Sequence, residues 1–318
     1  MGWSLIRRGE GMESMNDQTA APEGTVSERV IPVNGVRYHV TVTGSGPPLI
    51  LLHGFAGGSE TWEEHRTTLG AHFRTLAIDL LGHGGADAPP DADRYSMHHT
   101  VADLRALCDI LLSPLPTGGH ERYGLLGYSM GGRVALHLAL AEPERVGALV
   151  LESTSPGIAD PEERAKRRRG DEELAEFTER KGVAAFTRRW EALPLFASQR
   201  RLSLPIRHRQ RQQRLRNVPR GLANSLRGAG AGVAEPVHER LGELTMPTLL
   251  IVGALDERYR LHAETMQAAL PHARLALVPD AGHNVHLEQP KLFDAQVLGF
   301  FREMTEQQAA GPLLENKG

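Results

Sequence analysis

Six short apolar runs limit what this chain can fold into more than any other feature: residues 48–52, 74–78, 123–127, 148–151, 247–252 and 274–278. They are too short for buried helices and lack the strict polar alternation of a strand with one wet face, so they read as strands covered on both sides. Helical patterns at 62–71, 100–112, 130–141, 261–270 and 290–304 fill the gaps between them. Strand and helix in turn predict an α/β fold, a mostly parallel central sheet with helices on both faces. Ahead of the first run, residues 30–43 alternate polar and apolar side chains, as an antiparallel hairpin at one sheet edge does.

Between residues 157 and 234 the alternation stops, and only helical patterns remain. The expected organisation is a core of residues 25–156 and 235–306 with an inserted helical cap at 157–234. Polar tails are expected at 1–24 and 307–318. The cap segment holds 18 Lys and Arg against 9 Asp and Glu, whereas the whole chain of 318 residues carries a formal net charge of −3. A basic cap over an acidic core favours an anionic small molecule between them, because the summed field focuses such a ligand into the cleft. The same balance, without a nucleic-acid motif, excludes nucleic acid as the expected partner. No apolar run approaches the roughly 20 residues that span a bilayer, so no membrane role is expected. A single cysteine, Cys108, permits no disulfide within the chain and suits a cytoplasmic location.

The chemistry centres on Gly127-Tyr128-Ser129-Met130-Gly131, a G-x-S-x-G motif that follows a strand pattern and opens a helix. That context lets the Ser129 hydroxyl project above the sheet as a nucleophile or base. A serine needs an imidazole to take its proton, and the imidazole needs a carboxylate to fix its tautomer. Asp256 and His283 each lie on a loop after a strand pattern, in the chain order serine, acid, histidine. Singly, each reads equally well as a turn residue; together they predict a Ser129, Asp256 and His283 triad. His286 is a rival histidine nearby. The strand end His53-Gly54-Phe55 leads into Ala56, Gly57 and Gly58, which predicts an oxyanion hole from the Phe55 and Met130 amides. His83 reads as a packed loop residue. His98 and His99 lack companions at ligand spacing, so neither a metal nor an organic cofactor is expected.

The His53-Gly54-Phe55, 79–84, 127–132, 253–256 and Gly282-His283 segments together resemble the α/β-hydrolase superfamily. Within it, the stretches 127–136, 152–157, 190–196, 215–217 and 221–228 resemble the SHCHC synthases of menaquinone biosynthesis. The resemblance implies a carbon-oxygen lyase that eliminates pyruvate from a small polycarboxylate with Ser129 as base. It further implies a substrate pocket of Arg133, Arg167, Arg216, Tyr128 and Trp190. Lys166, Arg168 and Arg169 compete with Arg167 for its place. A carboxylesterase-type hydrolase using the same triad is the alternative, and a monomer or small homo-oligomer is expected.

Overall fold

A computed structural model describes residues 26–112 and 121–310. The chain opens with a hairpin of β1 (Val26–Val33) and β2 (Val36–Thr43). Asn34 and Gly35 both take positive φ, 46° and 82°, the backbone that a two-residue turn between twisted strands requires. Six further strands follow: β3 (Pro48–Leu52), β4 (Arg74–Ile78), β5 (Tyr123–Tyr128), β6 (Val146–Glu152), β7 (Thr248–Gly253) and β8 (Ala273–Val278). They form one eight-stranded sheet in the order β1-β2-β4-β3-β5-β6-β7-β8, parallel from β4 to β8. Only the hairpin and its junction with β4 are antiparallel.

Helices cover both faces, which is why β3, β5, β6 and β7 are buried along their whole length. On one face Ile50, Leu52, Leu125 and Leu149 pack against α2 (Met97–Leu111) and α3 (Met130–Ala141), with Cys108 among them. On the other, Leu49, Leu51, Leu126 and Val150 meet Phe293, Val297, Phe300 and Phe301 of the C-terminal helix. Each of those large side chains contributes about 1.5–3 kcal/mol by leaving water.

The helix expected at 62–71 takes a different form. Residues Ser59–His65 are a 3-10 helix, and only Arg66–Gly70 (α1) is α-helical. Its buried residues, Ser59, Trp62 and His65, recur every third position, so a three-residue turn aims all of them inward where an α-helix would not.

Between β6 and β7 lie α4 (Pro161–Glu191), a 3-10 helix (Pro194–Arg201), α5 (Leu204–Leu215) and α6 (Pro219–Ala229), with no strand. Asp160 caps α4 by accepting from the Glu163 amide, and Gly182, at φ 77°, breaks it into two segments. The insert is tied to loops of the core. Asn217 donates to Ala56 O and accepts from Gly84 N, Asn224 donates to Pro90 O, and Gly82 and Gly221 allow backbone-to-backbone approach. After β7 come α7 (Glu257–Ala269), α8 (Val285–Glu288) and α9 (Pro290–Ala310). Residues 307–310, expected in a tail, continue α9, as the good helix formers Glu306, Gln307, Gln308 and Ala309 allow. The expected tail at 1–24 and the rest of the C-terminal one lie outside the described residues.

Candidate active site

Ser129 sits between β5 and α3 at φ 51°, ψ −108°, a left-handed backbone that its L side chain adopts at a cost. The flanking glycines make this turn possible. A side chain at Gly127 would strike the Gly131 carbonyl, and one at Gly131 would strike the Leu52 carbonyl of the neighbouring strand. The turn is pinned by Ser129 N donating to Glu152 O at 2.9 Å and by Thr154 Oγ1 donating to Ser129 O at 2.7 Å.

Ser129 Oγ lies 3.0 Å from His283 Nε2, and His283 Nδ1 lies 2.7 Å from Asp256 Oδ2. A carboxylate only accepts, so the Nδ1 proton faces Asp256 and Nε2 is free to take the serine proton. Asp256 also caps α7, its Oδ1 accepting from Tyr259 N at 3.3 Å, so one side chain fixes both the helix start and the imidazole. The Tyr259, Tyr128 and Phe196 rings surround His283, with centroids 4.4, 5.5 and 6.0 Å away.

Beside Ser129 the loop after β3 is held by His53, whose Nδ1 donates to Gly54 O while its Nε2 accepts from Leu80 N. Among the described residues neither the Phe55 nor the Met130 amide donates to a backbone carbonyl. Two idle donors at the mouth of the elbow can stabilise an anionic oxygen.

Ser129, His283, Phe55 and Met130 line a chamber of about 960 Å³, roofed by the insert. Arg133, one turn into α3, is buried, and its Nε has no hydrogen-bond partner among the described residues. Burial pulls its pKa below the ordinary value; Tyr259 opposes this and Arg167 adds to it. Arg167 also lines the chamber and donates through Nε to Asp171 Oδ1 at 2.8 Å. Burial holds the Asp171 carboxyl above its usual range, against the pull of Arg167. Tyr128 and Trp190 are in the wall, Trp190 against Phe55.

Arg216 is elsewhere. It is exposed at the end of α5, pairs with Glu60, and lines a separate cleft of about 290 Å³ behind Tyr128 and Trp190. The inward arginine of that helix is Arg214, buried, bonded to Glu191 at 3.0 Å and stacked over Phe196. Two residues along a helix turn a side chain by more than half a circle, so the register of α5 decides between them. Of the competing basic residues on α4, Lys166, Arg168 and Arg169 are not in the chamber wall. His286 is bonded to Glu152 at 2.9 Å and does not reach Ser129, and His83 is packed on Phe55 and His53. Asp171 and Tyr259 went unnoticed in the sequence, although Asp171 stands four residues after Arg167 and Tyr259 three after Asp256, both helix-neighbour spacings. Among the described residues no group of three or more His, Cys, Asp or Glu could hold a metal ion, and no helix is long and apolar enough to cross a membrane.

The comparisons with known proteins agree with this architecture. A family model described as the alpha/beta hydrolase fold matches residues 47–290. A Bacillus subtilis protein provisionally named 2-succinyl-6-hydroxy-2,4-cyclohexadiene-1-carboxylate synthase is 43% identical over 279 residues, 87% of this chain and 98% of that one. The synthase of that name from Serratia proteamaculans is 32% identical, over 80% of this chain and 92% of its own. Among solved structures, MenH from Staphylococcus aureus superposes with a TM-score of 0.78 at 33% identity, covering 84% of this chain and 98% of that one. A Thermogutta terrifontis esterase solved with malate bound gives 0.74 at 28% identity, covering 88% and 99%.

Proposed function

This chain belongs to the α/β-hydrolase family, and from that premise we propose that it is a lyase of menaquinone biosynthesis. It eliminates pyruvate from 2-succinyl-5-enolpyruvyl-6-hydroxy-3-cyclohexene-1-carboxylate to give 2-succinyl-6-hydroxy-2,4-cyclohexadiene-1-carboxylate. The named relatives support the reaction class. The observation that carries the choice within the fold is Arg133, a buried guanidinium with an idle Nε in the same chamber as Ser129. Arg133 and Arg167 share the single Asp171 carboxylate, so a neutral ester would leave one buried positive charge without a counter-charge, whereas a polycarboxylate supplies it.

The shift from a 3-ene to a 2,4-diene fixes what must move. The proton at C2, acidified by the succinyl ketone, is removed; the double bonds reorganise; and the C5–O bond breaks, releasing enolpyruvate that becomes pyruvate. In our reading His283, oriented by Asp256, takes the Ser129 proton and the serine oxygen removes the C2 proton. The Phe55 and Met130 amides stabilise the charge that grows on the ketone oxygen, at roughly 3 kcal/mol per donor. Arg133 and Arg167 hold carboxylates, Tyr128 and Trp190 close the walls, and the insert at 157–234 acts as a cap that keeps water from the dienolate.

The experiment is pyruvate release from the enolpyruvyl substrate, followed by lactate dehydrogenase coupling. Rapid-quench mass spectrometry is run beside it. Pyruvate without a covalent adduct on Ser129 is the expected result. An acyl adduct that forms and decays at the turnover rate, with no pyruvate, would move the chain to the esterase chemistry of its structural neighbours.

A further inference from the structure

The inner wall of the chamber holds too little positive charge for the proposed substrate. Arg133 and Arg167 line it and share the single Asp171 carboxylate, so their surplus is one charge. The substrate carries three carboxylates: one on the ring, one at the end of the succinyl arm and one on the enolpyruvyl group. An anion drawn into a partly dry site without a counter-charge is costly, so the remaining carboxylates need partners elsewhere. The wall residues that are also exposed mark the mouth: Gly170 on α4, Pro194, Ala197 and Arg201 on the 3-10 helix, and Leu255 and Arg258 after β7. Of these, only Arg201 and Arg258 are charged.

Most arginines nearby are already paired: Arg209 with Glu64, Arg211 and Arg214 with Glu191, and Arg216 with Glu60. Arg201 and Arg258 differ, since among the described residues neither has a carboxylate partner. They approach the His283 loop from opposite sides. Arg201 comes from the insert: its Nε donates to Ser198 O at 3.5 Å, which leaves its two terminal nitrogens free, and a side chain at Gly282 would strike the Ser198 hydroxyl. Arg258 comes from the core: its guanidinium lies over Tyr259, 6.0 Å from the ring centroid, and that ring is 4.4 Å from the His283 ring. With the succinyl ketone on the Phe55 and Met130 amides, the carboxylate at the end of the succinyl arm is the one free to swing outward. We propose that Arg201 and Arg258 are specificity-determining residues that form a carboxylate clamp across the mouth, one guanidinium from the insert and one from the core, and that the clamp takes the carboxylate of the succinyl arm. The inference rests on the lyase reading for its natural ligand, but its test needs no turnover.

The test compares two acids by titration calorimetry: 2-succinylbenzoate and 2-butanoylbenzoate, planar stand-ins for the substrate ring that differ only in the carboxylate at the end of the arm. At low salt the wild-type chain binds the succinyl acid about tenfold more tightly, as two exposed charge contacts together give. Because the clamp is open to solvent, that ratio falls to about threefold at about 0.3 M salt. Arg201→Ala and Arg258→Ala each lower the low-salt ratio to about threefold, and the double variant lowers it to about one. Affinity for the butanoyl acid changes less than about twofold, since that ligand has nothing for the clamp to hold. Equal binding of the two acids by the wild-type chain, no binding of either, or an unchanged ratio in the double variant overturns the proposal. A loss in the double variant that is equal for both acids overturns it too, because a merely structural role would weaken them alike. Pyruvate release by the wild-type chain separates the two readings: discrimination without pyruvate loses the reaction and keeps the clamp, and the converse loses only the clamp.

Discussion

Ser129 Oγ in water is a poor base, and one contact changes that: His283 Nε2 at 3.0 Å, with its Nδ1 proton held by Asp256 at 2.7 Å. Asp256→Asn presents an amide to Nδ1 and favours the wrong tautomer, so pyruvate release should fall about 10⁴-fold while the far-UV spectrum stays native. Wild-type turnover in that variant would make another carboxylate the orienter. In the proposed reaction Arg133 would act on the ligand instead of the proton. Arg133→Ala should lower kcat/KM for pyruvate release about 30- to 1000-fold, the loss of a charge-assisted contact. Arg133→Lys should recover only part, since an ammonium cannot supply the planar fork. The control is hydrolysis of a neutral activated ester, which needs no carboxylate clamp; equal loss in both reactions would make Arg133 structural.

At the scale of elements, the site depends on where strands end. The loop that carries His283 is fastened to the end of β6: His286 donates its backbone amide to Glu152 Oε1 at 3.0 Å, and its Nδ1 bonds the same carboxylate at 2.9 Å. The Glu152 backbone carbonyl in turn accepts from Ser129 N. One fully buried residue therefore ties the serine turn to the histidine loop. Glu152→Ala leaves a buried imidazole and amide without an acceptor and should cost about 3–5 kcal/mol in urea unfolding, with kcat falling because the His283 loop is no longer held. A loss below about 1 kcal/mol would mean that water replaces the carboxylate and that the tie is not structural.

At the scale of the whole molecule, the candidate site sits where the sheet order reverses. From β3 the chain steps to β4 on one side and, later, to β5 on the other, so the loops after β3 and β5 diverge and leave a crevice. Leu52 and Gly127 are paired across that junction, which sets Phe55 beside Ser129. The same packing buries His83 under the loop, where desolvation, with His53 nearby, pushes its pKa down to about 3. The unfolded chain binds that proton near pH 6.5, so the sign is a stability present above about 6.5 and lost as pH falls toward 3. From pH 7.5 to 5 this group should cost about 2 kcal/mol. His83→Gln, which stays neutral, should lose about that much less over the same span in urea melts. An identical pH slope would show that other groups carry the acid sensitivity.

The fold was legible in the sequence because a strand covered on both faces must be apolar throughout, and six such runs leave little choice of class. The elbow and its two partners were legible too, since glycine at 127 and 131 and loop positions after strands are backbone demands written locally. What the sequence left open was facing. Arg214 and Arg216 differ by two positions on one helix, and only the docking of α5 decides that Arg214 turns inward while Arg216 pairs with Glu60. Asp171 shows the same limit: its spacing from Arg167 suggests a surface pair, and only the packing of α4 against the chamber buries it. Periodicity records which side of an element is apolar, but the direction of a charged side chain is set by neighbours far apart in sequence, and those meet only in the folded chain.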